Sequence, residues 1–287
     1  MSYTTRWIST LPRADSPRSF LWSSLRHYLQ GFRPRHFVRA HRTPDTVRRA
    51  YDTNRTAQLE RLESLDWESY VYLPPDWTDF VLLDDEVRWG ALRTPRTKLI
   101  QRLTDVVSRY AVPGATIIEF GSGDGRNILH LKKRFPATSF IGLELSDVSV
   151  NLSRCAARKF GLDAEFRQAD VCGTLPQLPD RKNVTLAFSS FALEMMPRIF
   201  TRAVDNMAAS TSAGLAFFEP AGELWPRNLR GLSSRLRVLQ MDRLRGLVRK
   251  VNTLSANDDW DVVSMERTKT GINPLNEGCE IHLRRAR

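Results

Sequence analysis

The residues best arranged to do chemistry in this chain begin at Glu119. The run Glu119-Phe120-Gly121-Ser122-Gly123-Asp124-Gly125 sets three glycines on alternate positions directly behind the apolar stretch Thr116–Phe120. A strand ending in glycines can turn sharply and let a ligand approach the backbone without obstruction from a Cβ. A helix starting at that turn offers unpaired N–H groups and a positive dipole end to an anion. Further along, Glu144 with Leu145 is suited to accepting the two hydroxyls of a ribose, and Asp170 with Val171 to accepting from the amino group of an adenine. Phe188-Ser189-Ser190, Leu193-Glu194 and Glu219 follow. Glu194 and Glu219 are the carboxylates placed to act as a general base, although such groups also cap helices or bind backbone amides.

Chemistry at these positions needs elements that bring them to one edge. The pattern predicts a helix over 95–110, a buried strand over 116–120, a helix over 126–135, a strand over 139–145 and a helix over 147–160. Strands over 164–170 and 183–190, a helix over 198–209 and a strand over 214–219 come next. A long Arg-rich helical segment occupies 225–253, and 260–269 and 280–285 read as closing strands. This is a doubly wound α/β order, in which ligands sit outside the carboxyl ends of the strands, so all the candidate residues face one crevice. Upstream, 43–65 reads as a helix. Residues 67–92, with Pro74-Pro75 and the acidic knot Asp84, Asp85 and Glu86, read as an irregular cover or lid.

The spacing of the glycines separates two nucleotide-binding families. A dinucleotide fingerprint would require its third glycine at position 126, which is Arg126; here it is Gly125. Over roughly residues 95–287 the chain resembles the class I S-adenosylmethionine-dependent methyltransferase superfamily. The resemblance implies a Rossmann-like, doubly wound seven-stranded sheet and S-adenosyl-L-methionine as cofactor. It assigns Gly121, Ser122, Gly123 and Gly125 to the methionine part of the cofactor and Glu119 to anchoring the loop or the amino group. Glu144 and Leu145 fall at the ribose, Asp170 and Val171 at the adenine, and Ser189 with Ser190 beside the methionyl chain. Methyl transfer is an in-line displacement at an already activated sulfonium carbon, so alignment and exclusion of water are the main tasks and no metal is required. Leu193-Glu194, Glu219-Pro220 and the loop Ile272-Asn273-Pro274-Leu275-Asn276 are similar to a bacterial subgroup acting in polysaccharide or specialised-metabolite pathways. A small-molecule, sugar or specialised-metabolite acceptor is the expectation. The resulting organisation is a basic, mainly helical extension or lid over 1–93, selecting substrate, and a methyltransferase domain over 94–287 with a helical insertion at about 222–254.

Charge supplies the alternatives. The chain carries a formal net charge of +11, and residues 1–50 hold ten arginines against Asp15 and Asp45. Basic segments at the N-terminus and over 227–250 suit phosphate binding, so an RNA methyltransferase is the second reading. The Asn/Asp-Pro-Pro-aromatic and Pro-Cys motifs of base methyltransferases are missing, with Ser189-Ser190-Phe191-Ala192 standing in place of the first. Residues 20–32 read as an amphipathic helix, expected either to pack on the protein's own core or to contact a membrane surface. A non-catalytic binding protein that kept the fold is the third reading, and the intact glycines and acids oppose it. Three scattered cysteines, Cys155, Cys172 and Cys279, suggest neither a disulfide framework nor a zinc site. No apolar run approaches the roughly 18 residues of a membrane span. A cytoplasmic location is expected, or an organellar matrix if 1–44 is a transit segment. His130 and His282 read as structural, and Trp225, Asn228 and Arg230 border the region expected to shape the acceptor pocket.

Overall fold

The computed structural model describes residues 44–196, 199–257 and 259–286. The basic stretch 1–43, the amphipathic segment 20–32 within it and the proposed transit segment therefore lie almost wholly outside the described residues. The chain opens with α1 (Pro44–Glu60), a short α2 (Trp67–Tyr72) and a hairpin of β1 (Thr78–Leu83) and β2 (Glu86–Ala91). Helix α3 (Arg93–Val107) leads into the alternation β3 (Thr116–Phe120), α4 (Arg126–Arg134), β4 (Ser139–Glu144), α5 (Asp147–Lys159), β5 (Glu165–Gln168), β6 (Val184–Ser190), α6 (Phe200–Ser210) and β7 (Gly214–Glu219). Helices α7 (Leu229–Gln240) and α8 (Leu247–Ala256) precede β8 (Trp260–Arg267) and β9 (Cys279–Arg285).

The large sheet has the order β5-β4-β3-β6-β7-β9-β8. Strands β5, β4, β3, β6 and β7 pair in parallel, and β9 runs antiparallel between β7 and β8. This is the seven-stranded, doubly wound sheet expected from the alternation. Strand β3 is buried at every residue, as a central parallel strand covered on both faces must be. Its side chains alternate between two cores. Ile118 and Phe120 join Phe200, Val204, Leu247 and Val251 on the α6/α8 side, whereas Ile117 joins Ile100, Leu103, Ile128 and Leu152 on the α3/α4/α5 side.

Two expectations change. Residues 67–92 are not an irregular cover: Asp66 caps α2 by accepting from the Ser69 N–H at 2.6 Å, and the acidic knot is the turn of a hairpin. Asp84 and Asp85 have φ of 52° and 71°, the double left-handed conformation of a two-residue hairpin turn, which Asp tolerates and which matches the twist of the strands. The segment also belongs to the main body, since Tyr70 and Val71 are buried in the core with α3, α4 and α5. The helical stretch near the C-terminus is broken rather than continuous, because Asp242 and Gly246 adopt φ of 45° and 86° between α7 and α8. Among the described residues no helix is long and apolar enough to cross a membrane.

Candidate active site

The crevice at the carboxyl ends of β3, β4 and β6 encloses a cavity of about 560 Å3, within the size range of small-ligand pockets. Its floor is the glycine loop. Gly121 and Gly123 have φ of 77° and 56°. A Cβ at Gly121 would collide with the Cβ of Ala192, so the strand end and the loop after β6 can approach only with glycine there. A Cβ at Gly123 would meet just an Arg55 nitrogen at 3.7 Å and otherwise open space, so this position borders the open volume of the cavity. Gly125 has a different role: its missing Cβ makes room for the Phe166 ring and the Ser153 hydroxyl, and it does not line the cavity.

The loop is a shaped floor rather than a nest of free donors. The N–H groups of Gly121 and Ser122 donate to the Leu143 carbonyl at 2.8 and 2.9 Å, and that of Gly125 to the Ser122 carbonyl at 2.9 Å. The Gly123 N–H donates to Glu144 Oε2 at 3.0 Å. With those four donors occupied, an anionic ligand group is left the N–H groups of the first turn of α4 and nearby cationic side chains. Arg96, from the first turn of α3, lines the cavity and donates to the Asn127 amide oxygen at 2.7 Å and the Val71 carbonyl at 3.2 Å, both neutral. Burial and the nearby Arg126 lower its pKa to about 10, which leaves it charged near neutrality.

Glu119 is almost fully buried, and its Oε1 accepts from Asn127 Nδ2 at 2.7 Å while Oε2 has no partner. Burial pushes its pKa up to about 8, against the lowering influence of Asn127 and Arg96. A buried, cavity-lining carboxylate with one idle oxygen is an uncompensated acceptor. Glu144 also lines the cavity; besides Gly123 it accepts from the Ser146 N–H at 2.9 Å, and burial raises its pKa. Asp170 is exposed at the rim with Oδ1 held by the Cys172 N–H at 2.9 Å. Leu145, Ala169, Val171 and Cys172 make an apolar wall between these two acids.

Not every residue expected at the site reaches it. Ser189 is fully buried and off the cavity, whereas Ser190 lines it. Strand pleating explains this: adjacent residues of β6 point to opposite faces, and Ser189 shares the face of Glu219 on β7. Glu219 is buried away from the cavity, with Oε1 accepting the Ala192 and Leu193 N–H groups at 2.9 and 3.0 Å and Oε2 that of Glu194 at 3.3 Å. Burial pushes it up to about 8 while those donors pull it down. Glu194 is paired with Arg243 and accepts from Asn276 Nδ2 at 3.2 Å, again off the cavity. Both glutamates organise the loop after β6 instead of facing the crevice.

The same holds for the region expected to shape the acceptor pocket. Trp225 donates to the Glu277 carbonyl at 3.0 Å, Asn228 caps α7, and Arg230 is buried against Glu277 and Asp85. His130 bridges Tyr72 and Thr104, and His282 contacts Tyr110 at 2.6 Å; burial lowers the pKa of both histidines to about 4. Residues not singled out in the sequence also line the cavity, namely Arg48, Tyr51 and Arg55 from α1, Leu73 after α2 and Met195, together with Phe191 and with Ile272 of the loop 272–276. Burial raises the Tyr51 hydroxyl to about 12, so it remains protonated.

Residues 117–214 match the family model described as a methyltransferase domain. No curated protein matches the chain in sequence. Among solved structures, magnesium protoporphyrin IX methyltransferase from Synechocystis PCC 6803 with bound SAM is 11% identical, with 87% of this chain and 100% of that one covered at a TM-score of 0.56. A [4+2]-cyclase is 17% identical, with 85% and 97% covered, also at 0.56. A geranyl diphosphate methyltransferase in complex with GPP and sinefungin is 14% identical, with 68% and 80% covered, at 0.52. At these identities the likeness is one of fold, and a fold shared with a cyclase leaves the reaction to be argued from the site.

Proposed function

We propose that the chain binds S-adenosyl-L-methionine in the described cavity and transfers its methyl group to a small-molecule acceptor, a reading supported by the match of residues 117–214 to a methyltransferase-domain model and by the fold likeness to a methyltransferase with bound SAM. The observation that carries this reading is the idle Oε2 of Glu119, buried at the cavity wall and suited to the cofactor's ammonium. Arg96, whose hydrogen bonds go to neutral groups, is suited to the carboxylate at the same end of the cofactor. Gly123 leaves room for the methionyl chain, Glu144 keeps acceptor capacity for ribose hydroxyls, and the wall formed by Leu145, Ala169 and Val171 suits an adenine with Asp170 at its edge.

The cofactor, when bound, supplies a methyl group on a positively charged sulfur. The protein's share is to hold the acceptor in line and keep water out, which accounts for most of the rate in such displacements. Phe191, Ala192, Met195, Leu73 and Ile272 provide that apolar surround, and Tyr51 offers a hydroxyl as a hydrogen-bonding handle for the acceptor. Since Glu194 and Glu219 are spent on the fold, proton removal from the acceptor falls to solvent.

A small acceptor is favoured over RNA by three of the seven arginines over 227–250 being spent on the fold, with Arg227, Arg245 and Arg249 exposed. Arg230 and Arg243 are buried in ion pairs, and Arg235 donates to the carbonyls of Gly222, Trp225 and Pro226. The test is calorimetric titration with S-adenosylhomocysteine and NADH, followed by transfer of labelled methyl from S-adenosylmethionine into separated low-molecular-mass and RNA fractions. Micromolar binding of S-adenosylhomocysteine alone, with label in the small-molecule fraction, is the expected result. Absence of that binding defeats the cofactor reading, and label confined to RNA defeats the acceptor reading.

A further inference from the structure

Helix α1 lies outside the matched domain, yet it is tied to the cavity's floor by polar side chains alone. Arg55 Nη1 donates to Asp124 Oδ2 at 2.8 Å, and Gln58 Nε2 donates to the same oxygen at 3.2 Å. Asp124 sits between Gly123 and Gly125, and its carboxylate also receives two hydrogen bonds from Arg126. One turn earlier, Asp52 Oδ1 accepts from the Ser146 hydroxyl at 2.6 Å. Ser146 is the residue that caps α5 through the Ser149 N–H and whose own N–H donates to Glu144 Oε1. The helix thus reaches the two halves of the cofactor cradle: the glycine loop through Asp124 and the ribose carboxylate through Ser146. Positions 48, 51, 52, 55, 58 and 59 recur at the three- and four-residue spacing of one helical face, and Arg48 and Tyr51 on that face line the cavity.

The attachment is shallow. None of the described side chains of α1 lies wholly in the apolar core: Tyr51 is partly buried at the cavity, and among the described residues only Leu59 packs, partly buried, against the core. A helix held by a few polar contacts opens at low cost, in contrast to α3 or α5, whose apolar faces are in the core. A wall that opens at low cost eases ligand entry to the crevice. Closing it would fix the glycine loop and Glu144 at the same time.

We propose that Arg55 and Asp52 are positioning residues for the cofactor, holding the glycine loop and Glu144 in their binding geometry through Asp124 and Ser146, and that α1 closes over the cofactor when it binds. The inference rests on the reading of the cavity as an S-adenosylmethionine site. It is tested by calorimetric titration of the full chain with S-adenosylhomocysteine, in the wild type and in Arg55→Gln, Asp52→Asn and Arg55→Lys, with the melting temperature of each unliganded protein as a check on folding. Arg55→Gln and Asp52→Asn each weaken binding about tenfold, the effect of one charge-assisted hydrogen bond, while Arg55→Lys retains most of the affinity. A purely structural helix would not produce the second readout, trypsin cleavage after Arg48 and Arg49. In the wild type S-adenosylhomocysteine slows this cleavage; in Arg55→Gln it does so far less. Equal affinity in all four proteins, or wild-type cleavage indifferent to the ligand, overturns the inference and leaves the cofactor reading standing. Failure of the wild type to bind S-adenosylhomocysteine removes both.

Discussion

Two pairs of glutamates sit at or near strand ends of the same sheet and lead opposite lives. Glu119 and Glu144, on β3 and β4, face the cavity; the first keeps an oxygen without a partner, and both are raised by burial. Glu219, ending β7, and Glu194, just after β6, are buried as well, but their oxygens are taken by three backbone N–H groups, an arginine and an asparagine. Residue type is alike in the two pairs, and Glu119, Glu194 and Glu219 are all buried while Glu144 is half-buried. What differs is whether hydrogen-bonding capacity remains that a ligand could use. A buried acid whose capacity is exhausted is an organiser of the chain, and one left incomplete at a cavity wall is a receptor.

The comparison is most sharply tested at the floor on which the receptor pair stands. Gly123→Arg is expected to lower affinity for S-adenosylhomocysteine by about a thousandfold or more, because the side chain projects into the space the ligand needs. The fold should survive, since a Cβ there meets nothing closer than 3.7 Å and the left-handed conformation costs about 1–2 kcal/mol. Calorimetry alongside a melting curve reads both effects, and unchanged affinity would put the ligand elsewhere. The organiser pair should respond the other way. Glu219→Ala strands three buried N–H groups, so unfolding in denaturant should show a loss of about 3 kcal/mol, while the folded fraction keeps its affinity to within about tenfold. A large loss of affinity without a loss of stability would make Glu219 a receptor after all.

Much of this difference was hidden from sequence reading, for definite reasons. The apolar run before Glu119 and the alternate glycines announce a buried strand, a tight turn and a helix by local pattern, and the elements from β3 to β7 fall within a few residues of the expected positions. The fate of Glu194 and Glu219 depends on which backbone amides a loop turns inward, and that loop is held by Arg243, after α7, and by Asn276 in the loop before β9. Ser189 and Ser190 illustrate the narrower problem: adjacent strand residues face opposite sides, and a one-residue ambiguity in the strand's end exchanges them. The hairpin was legible in principle, since paired aspartates between alternating apolar runs suit a two-residue turn. Helix α1 was visible as a helix, but its role was not, because its partner Asp124 lies 69 residues away from Arg55. Its polar inward face, Asp52, Arg55 and Gln58, resembles an exposed surface until the cradle is placed beneath it.

The smallest effect isolates the single idle oxygen. The pKa of Glu119 is about 8 in the folded protein, above the ordinary 4.5 that it regains on unfolding. The unfolded chain therefore releases this proton first, and its contribution to stability, full below pH 4.5, is lost as pH rises through 8. Unliganded wild type should lose stability across that window, and Glu119→Gln should remove part of the slope; Glu219, shifted in the same direction, leaves the remainder. Ligand binding must run against this trend. An ammonium prefers the ionised carboxylate, so below pH 8 binding releases a proton and affinity for S-adenosylhomocysteine rises with pH, by at most about tenfold per unit. In Glu119→Gln the rise should vanish, with affinity at pH 8 about tenfold below wild type, as for a lost charge-assisted hydrogen bond. Titrations in two buffers of different ionisation enthalpy count the released proton directly. A wild-type affinity that is flat with pH would mean that the ammonium is held elsewhere, and that the unpartnered oxygen, the feature separating the two pairs, is not what the ligand reads.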